Sequence, residues 1–310
     1  MKCANPWWLE GSGNRAFFIA CNKCLYCRIQ RRKLWTIRML HEKESWPGAS
    51  FITLTYNQEN LPPRGLRKKD LQNFFKRLRK LVTPLRYFAC GEYGEDQTKT
   101  KRPHYHAIVY GLAKHEFINL PQLKPPYWDD RAEKWLYSFA VWPFGYTDVG
   151  HVEEDSIRYV AGYIDKKWMA GDQKSTEYMG PPPPFQTQSQ GIGKEYWLEH
   201  YHEFLEDGFK FRGKPQAIPR YYIELLKTHD PVAHAYFMEE NEEKQRVRES
   251  DEVLELLPET GGIPIKELTE EQRNELRGHR KLAGKNMQAH LKAKASIYAL
   301  KANEKGKKLR

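Results

Sequence analysis

Long apolar runs are missing from this sequence. No stretch of about 18 apolar residues occurs, which argues against a membrane-spanning helix. No apolar leader follows Met1-Lys2-Cys3-Ala4-Asn5-Pro6-Trp7, so the chain is expected to be soluble and to work in the compartment where it is made. No Gly-x-x-x-x-Gly-Lys-Ser/Thr phosphate loop is present, which excludes a P-loop helicase or ATPase within the chain. Internal repeats are absent. Cysteine is scarce, with five in 310 residues, too few and too unevenly spread for the disulfide framework of a secreted domain.

What the chain does have is positive charge. Its net charge of +11 favours an anionic partner. The charge is uneven: Lys281 to Arg310 holds nine Lys/Arg and one Glu, a basic tail expected to add salt-sensitive affinity for nucleic acid. A second basic run, Arg64 to Lys80, has eight Lys/Arg against Asp70 alone. The plain alternative for that run is a solvated helix face.

Periodicity orders the elements. Arg28 to Lys43 reads as a helix, Phe51 to Tyr56 as a strand, and Lys69 to Leu81 as an amphipathic helix with Leu71, Phe74, Phe75 and Leu78 on one side. Leu85 to Gly91 and His104 to Gly111 read as a hairpin, Tyr146 to Val152 as a weaker strand, and Asp155 to Met169 as a helix with Asp155 or Ser156 as its N-cap. Beyond the stiff Gly180 to Pro184 linker come an aromatic helix (Glu195 to Leu205), a hairpin around Gly213, a helix from Arg220 and two charged helices after Pro231. This order predicts an α+β fold, an antiparallel sheet of about five strands flanked by helices. Three segments are expected: 1–50, Cys-rich with a helix packed on the nuclease domain; 51–230, the nuclease domain; and 231–310, a charged helical extension with a basic tail.

His104-Tyr105-His106 lies within a strand, so its two imidazoles share a face while Tyr105 turns into the packing. Such a pair holds a divalent metal once a third ligand joins it. Glu92 lies where the hairpin partner of His104 should be, and its carboxylate suits Mg²⁺ or Mn²⁺. Glu95 and His151 are the fallback ligands, and two surface histidines on an edge strand are the plain alternative.

Tyr159 and Tyr163 are four residues apart on a helix, so their phenols point the same way. Lys166 and Lys167 follow one turn later. A phenol with pKa about 10 is a weak nucleophile, and a nearby ammonium or a metal on the phosphate makes up the deficit. Core packing of both rings is the competing reading.

The segments Phe51 to Tyr56 (FITLTY), Pro103 to Gly111 (PHYHAIVYG) and Tyr159 to Lys167 (YVAGYIDKK) together resemble motifs I, II and III of the HUH endonucleases, which initiate rolling-circle replication. The paired tyrosines followed by two lysines resemble the replication initiators of microviruses. Cys21 to Arg28, Gly191-Ile192-Gly193-Lys194 and Pro219-Arg220-Tyr221-Tyr222 resemble the gokushovirus branch. The likeness runs from Cys3 to about residue 230. It implies an RNA-recognition-motif-like sheet, with His104 and His106 on the metal and Tyr159 and Tyr163 as alternating nucleophiles. Lys166 or Lys167 would assist at the phosphate. The implied product is a 5′-phosphotyrosyl link that the second tyrosine resolves. Implied partners are single-stranded DNA at a viral origin and a host helicase and polymerase, in the host bacterial cytoplasm. Tyr105 departs from the family's small aliphatic residue, but it faces the core.

Cys3, Cys21, Cys24 and Cys27 offer four thiolates, enough for a structural Zn²⁺, although the spacing is not that of two separated knuckles; an iron–sulfur cluster or reduced thiols are the alternatives. Cys90, mid-strand, reads as core. For DNA, Tyr56 and the basic helix carrying Arg67, Lys68, Lys69, Lys76, Arg77 and Lys80 are candidate contacts, with Trp7, Trp8 and Tyr93 as stacking platforms. Two other functions stay open: an HUH transposase or relaxase, and a non-enzymatic single-stranded nucleic-acid-binding module.

Overall fold

The computed structural model describes residues 3–5, 7–10, 16–94, 102–130, 133–169, 181–244, 269–272 and 274–275. They fall into two compact units, residues 32–229 and the remainder. The chain opens with β1 (Trp7–Glu10), β2 (Ala16–Ile19), α1 (Leu25–Glu44), β3 (Ala49–Tyr56) and α2 (Lys68–Leu81). Next come β4 (Arg86–Tyr93), β5 (Pro103–Tyr110), α3 (Lys114–Ile118), β6 (Gln122–Asp129) and β7 (Lys134–Phe139). They are followed by β8 (Gly145–His151), α4 (Glu154–Met169), β9 (Phe185–Gln188) and α5 (Lys194–Glu206). The last are β10 (Lys210–Phe211), β11 (Lys214–Pro215) and α6 (Arg220–His229), with a further helix over 231–244. The second charged helix expected there, and the basic tail, lie outside the described residues or nearly so. No helix among the described residues is long and apolar enough to cross a membrane.

The fold is α+β. Its sheet is antiparallel and has seven strands, in the order β6-β7-β8-β3-β5-β4-β9, rather than about five. The additional strands sit at the edges. β6 is exposed along nearly its whole length and carries Pro125 and Pro126, so it shows no alternation to read; proline is tolerated there because an edge strand has donors to spare. β9 is only four residues long and directly follows the proline run. The α4 helix starts one residue earlier than expected, at Glu154, and the Ser156 hydroxyl accepts from the Glu153 N–H at 2.9 Å.

Strand alternation divides the core in two. On β3, Ile52, Leu54 and Tyr56 are buried, while Phe51, Thr53 and Thr55 are half-buried on the other side. The first face packs with Tyr105 and Val109 of β5 under α2 and α3, through Leu71, Phe74, Leu78 and Phe117. Trp142 is fully buried among them, and its indole N–H donates to the Thr55 carbonyl at 3.0 Å. The opposite face brings Phe88, Cys90, Ile108 and Tyr110 against Met39 of α1 and Ile157, Val160 and Ala161 of α4.

Helices α5 and α6 complete the unit with an aromatic stack. Tyr222 lies 4.7 Å from Trp197 and 5.7 Å from His41, centroid to centroid. Burial, helped by the His200 imidazole, pulls His41 down to about 4. An unfolded histidine titrates near 6.5, so the stability carried by neutral His41 is intact above about 6.5 and is lost as pH falls toward about 4. Unfolding free energy should therefore drop by up to about 3 kcal/mol over that window on account of this residue. Urea denaturation across the window should show a shallower fall in His41→Phe; an unchanged slope would remove His41 as the cause.

Candidate metal centre

The face carrying α1 and α4 also carries a polar cluster at the end of β4 and β5. The register sets Glu92 directly opposite His104, with His106 two residues along the same face. Glu92 Oε1 lies 2.9 Å from His104 Nε2 and 3.1 Å from His106 Nε2. Glu92 and His106 are buried and His104 is half-buried. Tyr105, between the histidines, is wholly buried on the opposite side. Among the described residues, Glu92, His104 and His106 form one of two groups whose ligand atoms all lie within 4.8 Å of one another.

The far nitrogens show which atoms are free to bind. His104 Nδ1 is 3.1 Å from the Arg102 carbonyl, which only accepts, so Nδ1 carries the proton. In the neutral ring, His104 Nε2 then presents a lone pair toward the Glu92 carboxylate. His106 Nδ1 is 3.0 Å from Thr53 Oγ1 of the neighbouring strand. Burial holds His106 below the ordinary imidazole value, against the opposing pull of the Glu92 hydrogen bond. It is therefore neutral near pH ~7, the ligand form. Lone pairs converging on a carboxylate call for a cation between them. Adjacent ligands on an octahedral ion with bonds of about 2.1 Å lie about 3.0 Å apart, which the two Glu92 distances match. The donor set fits a hard divalent ion.

Tyr159 reaches the same spot from α4. Its hydroxyl is 3.5 Å from His106 Nε2, its ring meets the imidazole edge-on at 5.2 Å, and 49% of it is exposed. Tyr163, Lys166 and Lys167 belong to the same helix, but their side chains lie outside the described residues. So does Glu95. His151 pairs with Ser50 at the far end of β3, away from Thr53 and Thr55.

Sequence reasoning misses two groups on this face. Thr53 is the hydrogen-bond partner of His106, and the β3–β5 register that makes it so is a non-local pairing. Lys134 of β7 forms an ion pair with Asp148 of β8 at 2.8 Å, and its charge helps to lower His106. A lysine in the unassigned 112–145 stretch gives no signal by itself.

The DNA contacts expected from the basic helix need correction. Tyr56 is 2% exposed, and its hydroxyl donates to Asp70 at 2.9 Å and contacts the Tyr105 hydroxyl at 2.8 Å; it is a core residue. Arg67, Lys68, Lys69, Lys76 and Lys80 are exposed, but α2 covers the sheet face opposite the cluster. Arg77 is half-buried, with its Nε donating to the Val141 carbonyl at 2.9 Å. Tyr93 accepts from the Leu66 N–H and donates to the Pro182 carbonyl, which fixes its ring in the packing. Trp7 is 58% exposed, and the side chain of Trp8 lies outside the described residues.

In the other unit, Cys3, Cys21, Cys24 and Cys27 bring their sulfurs together as the second such group. Burial raises the Cys21 thiol, but N–H donors from Cys24 and Lys23 outweigh it and bring the thiol down to about 7. Cys27 is pushed up by burial. Cys90 is wholly buried in the sheet core.

Comparison with known proteins matches residues 49–168 to a family of replication-associated proteins described by its ORF2 members. That span starts with β3 and takes in all of β4, β5 and β8 and nearly all of α4. Over 231 residues the chain is 32% identical to replication-associated protein VP4 of Bdellovibrio phage phiMH2K, covering 70% of each chain. It is 30% identical over 224 residues to replication-associated protein ORF4 of Chlamydia phage 1, covering 68% of this chain and 54% of that one. Identity to replication-associated protein ORF2 of Spiroplasma virus 4 is 27% over 216 residues, covering 66% of this chain and 65% of that one. No solved structure matches the chain.

Proposed function

The chain belongs to the ORF2 family of replication-associated proteins, and from that premise we propose that it initiates rolling-circle replication of a single-stranded DNA bacteriophage by nicking origin DNA with a tyrosine nucleophile. The observation that carries this reading is the convergence of Glu92, His104 and His106 beside the Tyr159 hydroxyl. A binding module has no use for a buried carboxylate facing two imidazole lone pairs.

Glu92, His104 and His106 hold Mg²⁺ or Mn²⁺, which when bound polarises the phosphodiester and offsets charge developing on it. Thr53 and the Arg102 carbonyl fix the imidazole rings, so the donor atoms are aimed before DNA arrives. The Tyr159 oxygen attacks phosphorus, a P–O bond to the tyrosine forms, and the bond to the 3′ oxygen breaks, leaving a free 3′ hydroxyl. One phosphodiester replaces another, so the step is reversible and needs no nucleotide. Tyr163, one turn further along α4, performs the second transfer that recloses a unit circle, with Lys166 or Lys167 serving the phosphate. The strand lies on the sheet face of the cluster, where Lys134 supplies a cation, and not on α2. Unwinding and synthesis fall to host helicase and polymerase in the host cytoplasm, since the chain has no phosphate loop.

The test is incubation of the full chain with labelled single-stranded origin DNA and Mn²⁺, followed by a denaturing gel. A labelled protein–DNA band should appear, disappear with EDTA, and be absent from the Tyr159→Phe/Tyr163→Phe double variant. DNA binding without any adduct, across oligonucleotides tiling the whole viral origin region, would sink this reading in favour of a binding module.

A further inference from the structure

The N-terminal cysteines form a second centre that the nicking chemistry does not use. Cys3, Cys24 and Cys27 are buried and Cys21 is half-buried. Cys24 Sγ lies 3.5 Å from Cys27 Sγ and 3.8 Å from Cys3 Sγ, Cys27 Sγ lies 3.6 Å from Cys3 Sγ, and Cys21 Sγ lies 4.0 Å from Cys27 Sγ. These distances are far longer than the about 2.05 Å of a disulfide. Four sulfurs at about 2.3 Å from a tetrahedral ion lie about 3.8 Å from one another, which is the spacing observed. A multi-iron cluster would hold its cysteine sulfurs much farther apart.

The backbone is arranged around thiolates. Cys21 Sγ accepts N–H bonds from Lys23 at 3.4 Å and Cys24 at 3.3 Å. Cys3 Sγ accepts from Cys21 N–H at 3.2 Å, and Cys24 Sγ from Ala4 N–H at 3.5 Å. Asn22 sits at φ 58, the left-handed turn that lets Lys23 and Cys24 aim their N–H groups back at the Cys21 sulfur. Cys24 immediately precedes the first turn of α1, whose unpaired N–H groups favour negative charge. Donors to sulfur of this kind stabilise charged ligands around a metal.

We propose that Cys3, Cys21, Cys24 and Cys27 bind one Zn²⁺ as a closed tetrathiolate. All four positions are filled by protein, so the ion is structural and takes no part in DNA chemistry. Binding displaces the thiol protons, and the ion ties Cys3 to the turn that opens α1.

The full-length chain, purified and passed through EDTA, is analysed for metals and for thiol reactivity. About one zinc per chain should remain, the four cysteines should resist a thiol reagent, and a mercurial should release zinc as they react. Cobalt substitution should give intense thiolate-to-metal absorption. Cys24→Ser/Cys27→Ser should lose the zinc and the cobalt spectrum, while His104→Ala/His106→Ala should keep both. Reactive thiols with no zinc in folded wild-type protein would overturn the proposal. So would iron in its place, or zinc that leaves with the histidines. None of these outcomes depends on whether the protein nicks DNA.

Discussion

Replacing His106 by alanine should slow DNA cleavage by about 10³-fold while DNA binding stays within a few-fold. The magnitude follows from what a metal supplies at a phosphate, several kcal/mol of charge stabilisation in the transition state, which is gone when one of three protein ligands is removed. His106 is the hub of the cluster. It meets Glu92 at 3.1 Å, Thr53 at 3.0 Å and the Tyr159 hydroxyl at 3.5 Å. A structural role for it predicts a different pattern: lower melting temperature, with residual activity tracking the folded fraction. Two controls separate these cases. Excess Mn²⁺ should recover part of the lost rate, as expected for weakened metal binding. Thr53→Val, which keeps the shape and removes only the hydrogen bond, should weaken metal affinity about 10–100-fold. Cleavage by His106→Ala within about tenfold of wild type at low Mn²⁺ would remove the cluster from the mechanism.

How much of this centre can be read from sequence depends on how local each contact is. His104 and His106 share a face by strand alternation alone, and Glu92 joins them because a hairpin makes its register nearly calculable. Tyr159 needs only helical periodicity to be set apart from the buried Val160 and Ala161. Thr53 and Lys134 are invisible because their partners lie 53 and 14 residues away, across strand pairings that no local pattern specifies. Tyr56 is the instructive failure. The alternation that puts Phe51, Thr53 and Thr55 on one side puts Tyr56 with Ile52 and Leu54 in the core, so the signal is present, and taking the aromatic ring as a DNA contact runs against it. For α2 the amphipathic stripe is plain, but which sheet face it covers is a tertiary fact, and that decides where its basic side points. Strand β6 shows the limit for folds: two prolines on an edge erase the very pattern by which strands are recognised.

Glu42→Ala should cost about 3–5 kcal/mol of stability, the scale for removing one partner from a buried ionic network, and lower the melting temperature by on the order of 10 °C. Glu42 is 1% exposed on α1, yet it accepts from three directions. Its Oε2 takes the Gly193 N–H at 2.6 Å, and its Oε1 takes the Trp46 indole N–H at 2.8 Å and faces Arg86 Nε at 3.2 Å. The carboxylate thus joins α1, the first residue of β4 and the loop that opens α5. Gly193 has no freedom to find another partner. It sits at φ 76, and a Cβ there would come within 2.8 Å of the Arg38 carbonyl, so the loop approaches α1 at a distance only glycine permits. Arg38 reinforces the join from the same helix, donating to the Ile192 carbonyl at 3.1 Å and lying 4.0 Å from the centre of the Tyr221 ring. These contacts give the Gly191 to Lys194 segment and the Tyr221–Tyr222 pair a physical role: they anchor α5 and α6 to the back of α1, whose Met39 packs under the sheet that carries the metal ligands. Glu42→Gln retains one acceptor oxygen and should recover part of the loss, whereas alanine leaves a buried N–H, an indole and a guanidinium without it. Equal stability of wild type and Glu42→Ala by urea denaturation would show that the network is replaceable by water, and would return that segment to an unexplained feature.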